Sequence, residues 1–145
     1  MIRYAYCLAT LIFLTLVGAK FDARTGFTSL IRFGATWQPN RHSSLREVPI
    51  ATAADSTGYD GQFYAQIALD PSLRDAELKR VIDAPAYRAR RILTPAIATL
   101  LGGGNPAWIL QAYALLNVAC WIALAWLLRT WIGCNEWLGF ARWAG

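Results

Sequence analysis

One carboxylate and two guanidinium groups carry the residue types and spacing from which chemistry can be argued. Asp60 lies in "GYDGQFYAQIALDP", residues 58–71, and Arg88 and Arg91 lie in "DAPAYRARRILTP", residues 83–95. A carboxylate can take the proton of a hydroxyl, or orient that hydroxyl or a divalent metal ion. Arginines at 88 and 91, on one face of a helix, offer forked donors that stay charged, which suits a phosphate. Tyr59, Phe63 and Tyr64 flank the acid and could wall a partly desolvated cleft around it. Each residue also has a plain structural role open to it. Asp60 can cap a helix through the N–H groups of Gln62 or Phe63, and Arg88 and Arg91 can anchor lipid headgroups or pair with Asp83.

Other reactive residue types give no site. His42 is the only histidine and stands between Arg41 and Ser43 in a polar stretch, as a solvated loop residue would. The cysteines, Cys7, Cys120 and Cys134, are odd in number and far apart, so neither a disulfide framework nor a metal site is indicated, and they read as packing residues.

The elements that must position Asp60 and the arginines are those of a membrane protein. The chain has 145 residues, 56% hydrophobic and 16% charged, and its apolar residues concentrate near 4–19 and 92–132. The net charge of +5 could serve nucleic acid, anionic headgroups or phosphorylated substrates. Nucleic acid is the poorest fit, because no zinc-finger spacing, RNP-like motif or dense basic run is present.

Residues 4–19, "YAYCLATLIFLTLVGA", predict a first membrane helix of about 24 Å, or a signal peptide ending at the small residues Val17-Gly18-Ala19. Residues 20–84 read as an extracytoplasmic loop holding short helices. Within it "TGFTSLIRFG" could lie on the bilayer with Phe27, Leu30, Ile31 and Phe33 toward lipid, or form a buried turn. Helices are expected from Asp60 to Leu69, from Asp75 to Ile82 and onward from Pro85. Between Ile92 and Leu128 no charged residue occurs, and as one helix that run would measure about 55 Å, so it must break at "GGGNP", residues 102–106. This gives a second membrane helix over 85–102, kinked at Pro95, and a third over 106–132. The tail 133–145 brings interfacial Trp137 and Trp143. The predicted fold is therefore an α-helical integral membrane protein with about three membrane helices.

Taken together, "GYDGQFYAQIALDP", "DAPAYRARRILTP" and the short apolar segment followed by a tryptophan-bearing helix resemble the first part of bacterial membrane proteins related to GT-C glycosyltransferases. The resemblance covers nearly all of this chain but a minor part of a usual family member, which has many more helices. It implies a multi-pass protein of the bacterial inner membrane that moves a sugar from a polyprenyl-phosphate donor to an extracytoplasmic acceptor. It places Asp60 at the family's membrane-edge acid; the residue types themselves then suit Arg88 and Arg91 to the phosphate and Tyr59, Gln62 and Tyr64 to the substrate, with packing in the loop the other role open to Gln62 and Tyr64. Because later helices supply the donor groove in such enzymes, it also implies a chain inactive alone: a truncated product, a fragment, or one piece that associates with another membrane subunit through Trp121, Trp126 and the small residues of the last helix. A different class remains open: a small non-enzymatic membrane protein whose loop binds a partner or lipid. A secreted protein with a cleaved signal is a third.

Overall fold

Side-chain and glycine signals mark the starts of two helices and the end of a third. In the computed structural model, which describes residues 2–131 and the side chains of 6–131, the helices are α1 (Ile2–Gly18), α2 (Gly61–Ile67), α3 (Ala76–Val81), α4 (Pro85–Arg88), α5 (Leu93–Gly102) and α6 (Pro106–Trp131). The chain is mostly helical, and among the described residues α6 alone is long and apolar enough to cross a membrane. The expectations for Arg3, Tyr4, Cys134, Trp137 and Trp143 fall outside the described side chains.

Asp75 caps α3 by accepting from the N–H groups of Glu77 (2.7 Å) and Leu78 (3.4 Å). Asn105 does the same for α6 through Ala107 and Trp108, ahead of Pro106. Between α5 and α6 the chain turns at Gly103, which ends α5 at φ +56°, a conformation that penalises any residue with a Cβ.

The expected second helix is not continuous. Residues 85–102 divide into α4, a 3₁₀ turn at Ala89–Arg91, and α5 of ten residues, about 15 Å long. Arg88 is drawn back onto Asp83, which holds the chain in a tight turn there. Pro95 occupies the first turn of α5, where its missing N–H would have no helical partner, so it gives no kink.

Two compact units emerge, and each has its own character. Unit 1 comprises Met1–Lys20 and Asn117–Gly145. Its α1 and the later part of α6 leave Leu8, Leu11, Ile12, Leu16, Leu124 and Trp126 exposed, a density of bare apolar side chains that water would not tolerate cheaply. Cys7 and Cys120 are exposed free thiols and are not packing residues.

Unit 2, Phe21–Leu116, has a core of its own. At its centre α2 is buried from Gln62 to Ile67, against Phe33, Leu45, Leu78, Ile82, Ala98, Ile109 and Leu110. Ile31 and Phe33 therefore belong to this core rather than to a lipid-facing surface. Apolar residues look alike in sequence whether lipid or protein covers them, and here Phe33 leads into a parallel pair of two-residue strands, β1 (Phe33–Gly34) and β2 (Thr52–Ala53). The rest of 35–57 is irregular, with 3₁₀ turns at Ala35–Asn40 and Ser43–Leu45.

A buried and a half-buried amide tie this irregular chain to the helices. Gln62 accepts from Gly34 N (3.1 Å) and donates to Thr57 O (2.7 Å). Gln111 of α6 accepts from Phe27 N (2.8 Å) and donates to Thr25 O (3.1 Å). Loop backbone that would otherwise be left unsatisfied is thereby paired.

Candidate active site around Asp60

Gly58, at φ +80°, turns the chain back against Phe33 and delivers Tyr59 and Asp60 to the start of α2. An N-cap side chain needs an extended backbone at its own residue, but Asp60 is already helical, at φ −50° and ψ −31°. The expected cap is therefore absent. Backbone carbonyls serve the first turn instead: Tyr59 O accepts from Gln62 N, and Asp60 O accepts from Phe63 N and Tyr64 N.

The Asp60 carboxylate is left for another partner. Arg88 Nη2 donates to Asp60 Oδ1 at 3.1 Å and to Asp83 Oδ2 at 2.8 Å, while Arg88 Nε donates to Asp83 Oδ1. The guanidinium lies over the rings of Phe63 (4.4 Å) and Tyr64 (5.1 Å). Arg88 is buried, whereas the Asp60 side chain is 69% exposed and that of Asp83 is 39% exposed. The hydrogen bond from Arg88 holds Asp83 below the ordinary carboxylate range, and the same bond is the main cause that raises Arg88. Two carboxylates on one guanidinium leave the group with a net negative charge.

Both acids open onto a cavity of about 410 Å³ whose walls include Trp37, Tyr59, Phe63 and Gln62. Trp37 meets Phe63 edge-on, with ring centroids 5.3 Å apart. Aromatic faces beside exposed carboxylates can cover the apolar side of a small polyol and accept from its hydroxyl groups. The chain matches no family model, no curated protein and no solved structure. The chemistry must be read from the geometry.

Of the expected site residues, the structure brings Asp60, Tyr59 and Gln62 to this cavity. Gln62 is buried with its amide engaged on both sides, so it shapes the wall. Tyr64 is buried beneath Arg88 and packs in the core. Arg88 turns Nε and Nη2 to Asp83 and Asp60 and keeps Nη1 buried, so it presents no exposed fork to a phosphate. Arg91 does not join it: it is exposed and stands over the Tyr87 ring at 5.9 Å, since the helix that would have aligned the two is broken between them. The exposed state of Asp60 also differs from the desolvated cleft expected of it.

Beside Tyr59, outside the cavity lining, stands Arg32. Its guanidinium lies 4.9 Å from the Tyr59 ring centroid and its carbonyl accepts from Tyr59 N at 3.2 Å. Arg32 holds φ +58°, an uncommon backbone state for a residue with a side chain, found at positions that surrounding structure over-determines. Sequence reasoning gives Arg32 and Trp37 no part in a site and finds no local signal for them, whereas the pairing of Arg88 with Asp83, five residues before it, is one of the roles it allows.

Among the described residues no three His, Cys, Asp or Glu side chains gather as metal ligands. Asp60 and Asp83 hold Arg88 between them, where a divalent ion would have to stand, so these residues do not fit a metal site.

His42 is not the solvated loop residue expected of it. It is buried, with Nε2 3.0 Å from Asp75 Oδ2, and Nδ1 accepts from Ser44 N at 3.2 Å. Both ring nitrogens are engaged, so His42 fastens the 3₁₀ turn at Ser43–Leu45 to α3 and is not a free base.

Proposed function

We propose that the chain is the N-terminal part of a GT-C-like glycosyltransferase of the bacterial inner membrane, working on a polyprenyl-phosphate-linked sugar. In this reading α1 and α6 cross the bilayer, α5 enters it as a third, shorter element, and residues 20–84 stand on the extracytoplasmic side. The observation that carries it is the Asp60 carboxylate: it caps no helix, is held by Arg88, and remains mostly exposed in an aromatic-walled cavity.

The chemistry assigns a part to each group. The acceptor hydroxyl gives its proton to Asp60 as its oxygen bonds to the anomeric carbon, and the bond from that carbon to the phosphate oxygen breaks, with the electron pair leaving on the polyprenyl phosphate. Arg88 fixes the carboxylate and Asp83 fixes Arg88, so both act as positioning residues. Arg32, on the ring of Tyr59, is a cation suited to the departing phosphate. Trp37 and Tyr59 cover the sugar ring. Further helices, from the same protein or a partner subunit, complete the donor groove, and the chain alone is inactive.

Replacing Asp60 by Asn in the native host and comparing glycolipid profiles tests this reading. Loss of one glycolipid with unchanged protein level is expected, and identical profiles would remove the catalytic role.

One observation favours a non-enzymatic alternative. Asp60 shares Arg88 with Asp83, as a structural strut would, and a membrane protein whose folded loop binds a partner needs no more than that. Identical glycolipids with Asp60→Asn would leave this alternative standing.

A further inference from the structure

Unit 1 contains a second cavity, also about 410 Å³, formed between α1 and α6. Leu11 and Leu14 of α1, three apart, and Ile122 and Trp126 of α6, four apart, each share one helix face and stand in its wall beside Trp121. The helices run antiparallel here: Phe13 stacks on Trp121 at 3.8 Å toward one end, and Arg129 lies over Tyr6 at 5.4 Å toward the other. The wall is thus strongly graded, apolar over most of its length and cationic at the Tyr6–Arg129 end.

A cavity with such walls excludes water, which would find too few polar partners inside it. Leu11 and Trp126 at its edge are 61% and 65% exposed, so it opens sideways, in the direction from which hydrocarbon would enter in a bilayer. A molecule matching this gradient needs an apolar chain and one anionic head. A transmembrane helix would match the apolar part, but its flank offers nothing to a guanidinium at one end. The contact with Tyr6 engages the charge of Arg129 and leaves its N–H groups able to fork onto a phosphate.

We infer that the groove between α1 and α6 holds one acyl chain of an anionic phospholipid, with the headgroup phosphate on Arg129. The site is separate from Asp60, and its test reads no sugar transfer, so it stands or falls independently of the proposed activity.

The experiment uses the full chain in nanodiscs of phosphatidylcholine with a minor fraction of phosphatidylglycerol, released into mild detergent, with retained lipid counted by native mass spectrometry. Wild type is expected to retain one phosphatidylglycerol in preference to phosphatidylcholine. Arg129→Gln should cut that preference about tenfold, as expected for loss of charge-assisted hydrogen bonds to a phosphate. Ala125→Phe, which fills the groove, should lose both lipids. Equal retention of the two lipids by wild type, or an unchanged preference in Arg129→Gln, overturns the proposal. So does a lipid-free dimer, which would place a second copy's helix in the groove. Should Ala125→Phe fail to fold, Arg129→Gln decides alone.

Discussion

Arg88 reaches across 28 residues to the carboxylate of Asp60, at 3.1 Å, while it is gripped from five residues away by Asp83. The buried guanidinium is thus the joint through which α4 fixes the position of an exposed acid on α2. Arg88→Ala leaves two carboxylates facing each other and opens a void beneath them. It should destabilise unit 2 by about 3 kcal/mol, the lower end for breaking a buried pair, since both acids retain some solvent. Arg88→Lys should recover only part of this, because an ammonium cannot fork onto Asp83. Chemical unfolding followed by circular dichroism measures both, and an unchanged midpoint in Arg88→Ala would contradict the joint.

Asp60→Asn is expected to behave differently. Its side chain is well exposed and keeps an oxygen for Arg88, so stability should change by less than about 1 kcal/mol. Unfolding midpoints compared with the glycolipid readout separate a chemical role from a structural one. A large drop in stability would make Asp60 a structural member.

Acid should weaken unit 2. Asp83, Asp75 and Glu77 are all held below their ordinary range, chiefly by hydrogen bonds from Arg88, His42 and Ser43 respectively. A carboxylate lowered on folding contributes stability that is complete above its unfolded value of about 4 and disappears as pH falls through the lowered folded value. Thermal midpoints should therefore hold between pH 7 and 5 and fall toward pH 3, and Asp83→Asn should flatten part of that fall. A constant midpoint down to pH 3 would show that these pairs do not support the fold.

Gly34 should tolerate no side chain. A Cβ there would stand 2.2 Å from the Thr57 carbonyl carbon and 2.3 Å from Gly58 N, both backbone atoms that cannot swing aside. Gly34→Ala should cost about 1–3 kcal/mol and loosen the segment that carries Tyr59 and Asp60. Amide exchange near residues 57–60 checks it, with unchanged protection as the contrary result.

Local chemistry was the legible part of this chain. Asp75, Asn105 and Gly103 act within a few residues of themselves, so their helix ends could be anticipated at Asp75 and within "GGGNP". Asp60 misled because a cap depends on its own backbone angles, which its neighbours set and no spacing reveals. The depth of Arg88 was equally hidden, since an arginine near a membrane segment looks the same whether it faces headgroups or two acids. Trp37 sits in a stretch without period, and only the fold brings it beside Phe63.

Gln111 has a consequence for how deeply α6 can be immersed. Its amide is bound at both ends to Thr25 and Phe27, so the helix cannot slide into hydrocarbon past that point without stripping two loop groups of their partners. If the proposed membrane reading holds, Gln111 would serve as a draught mark: residues 115–131, about 25 Å of helix, would be the part of α6 free to lie below the waterline.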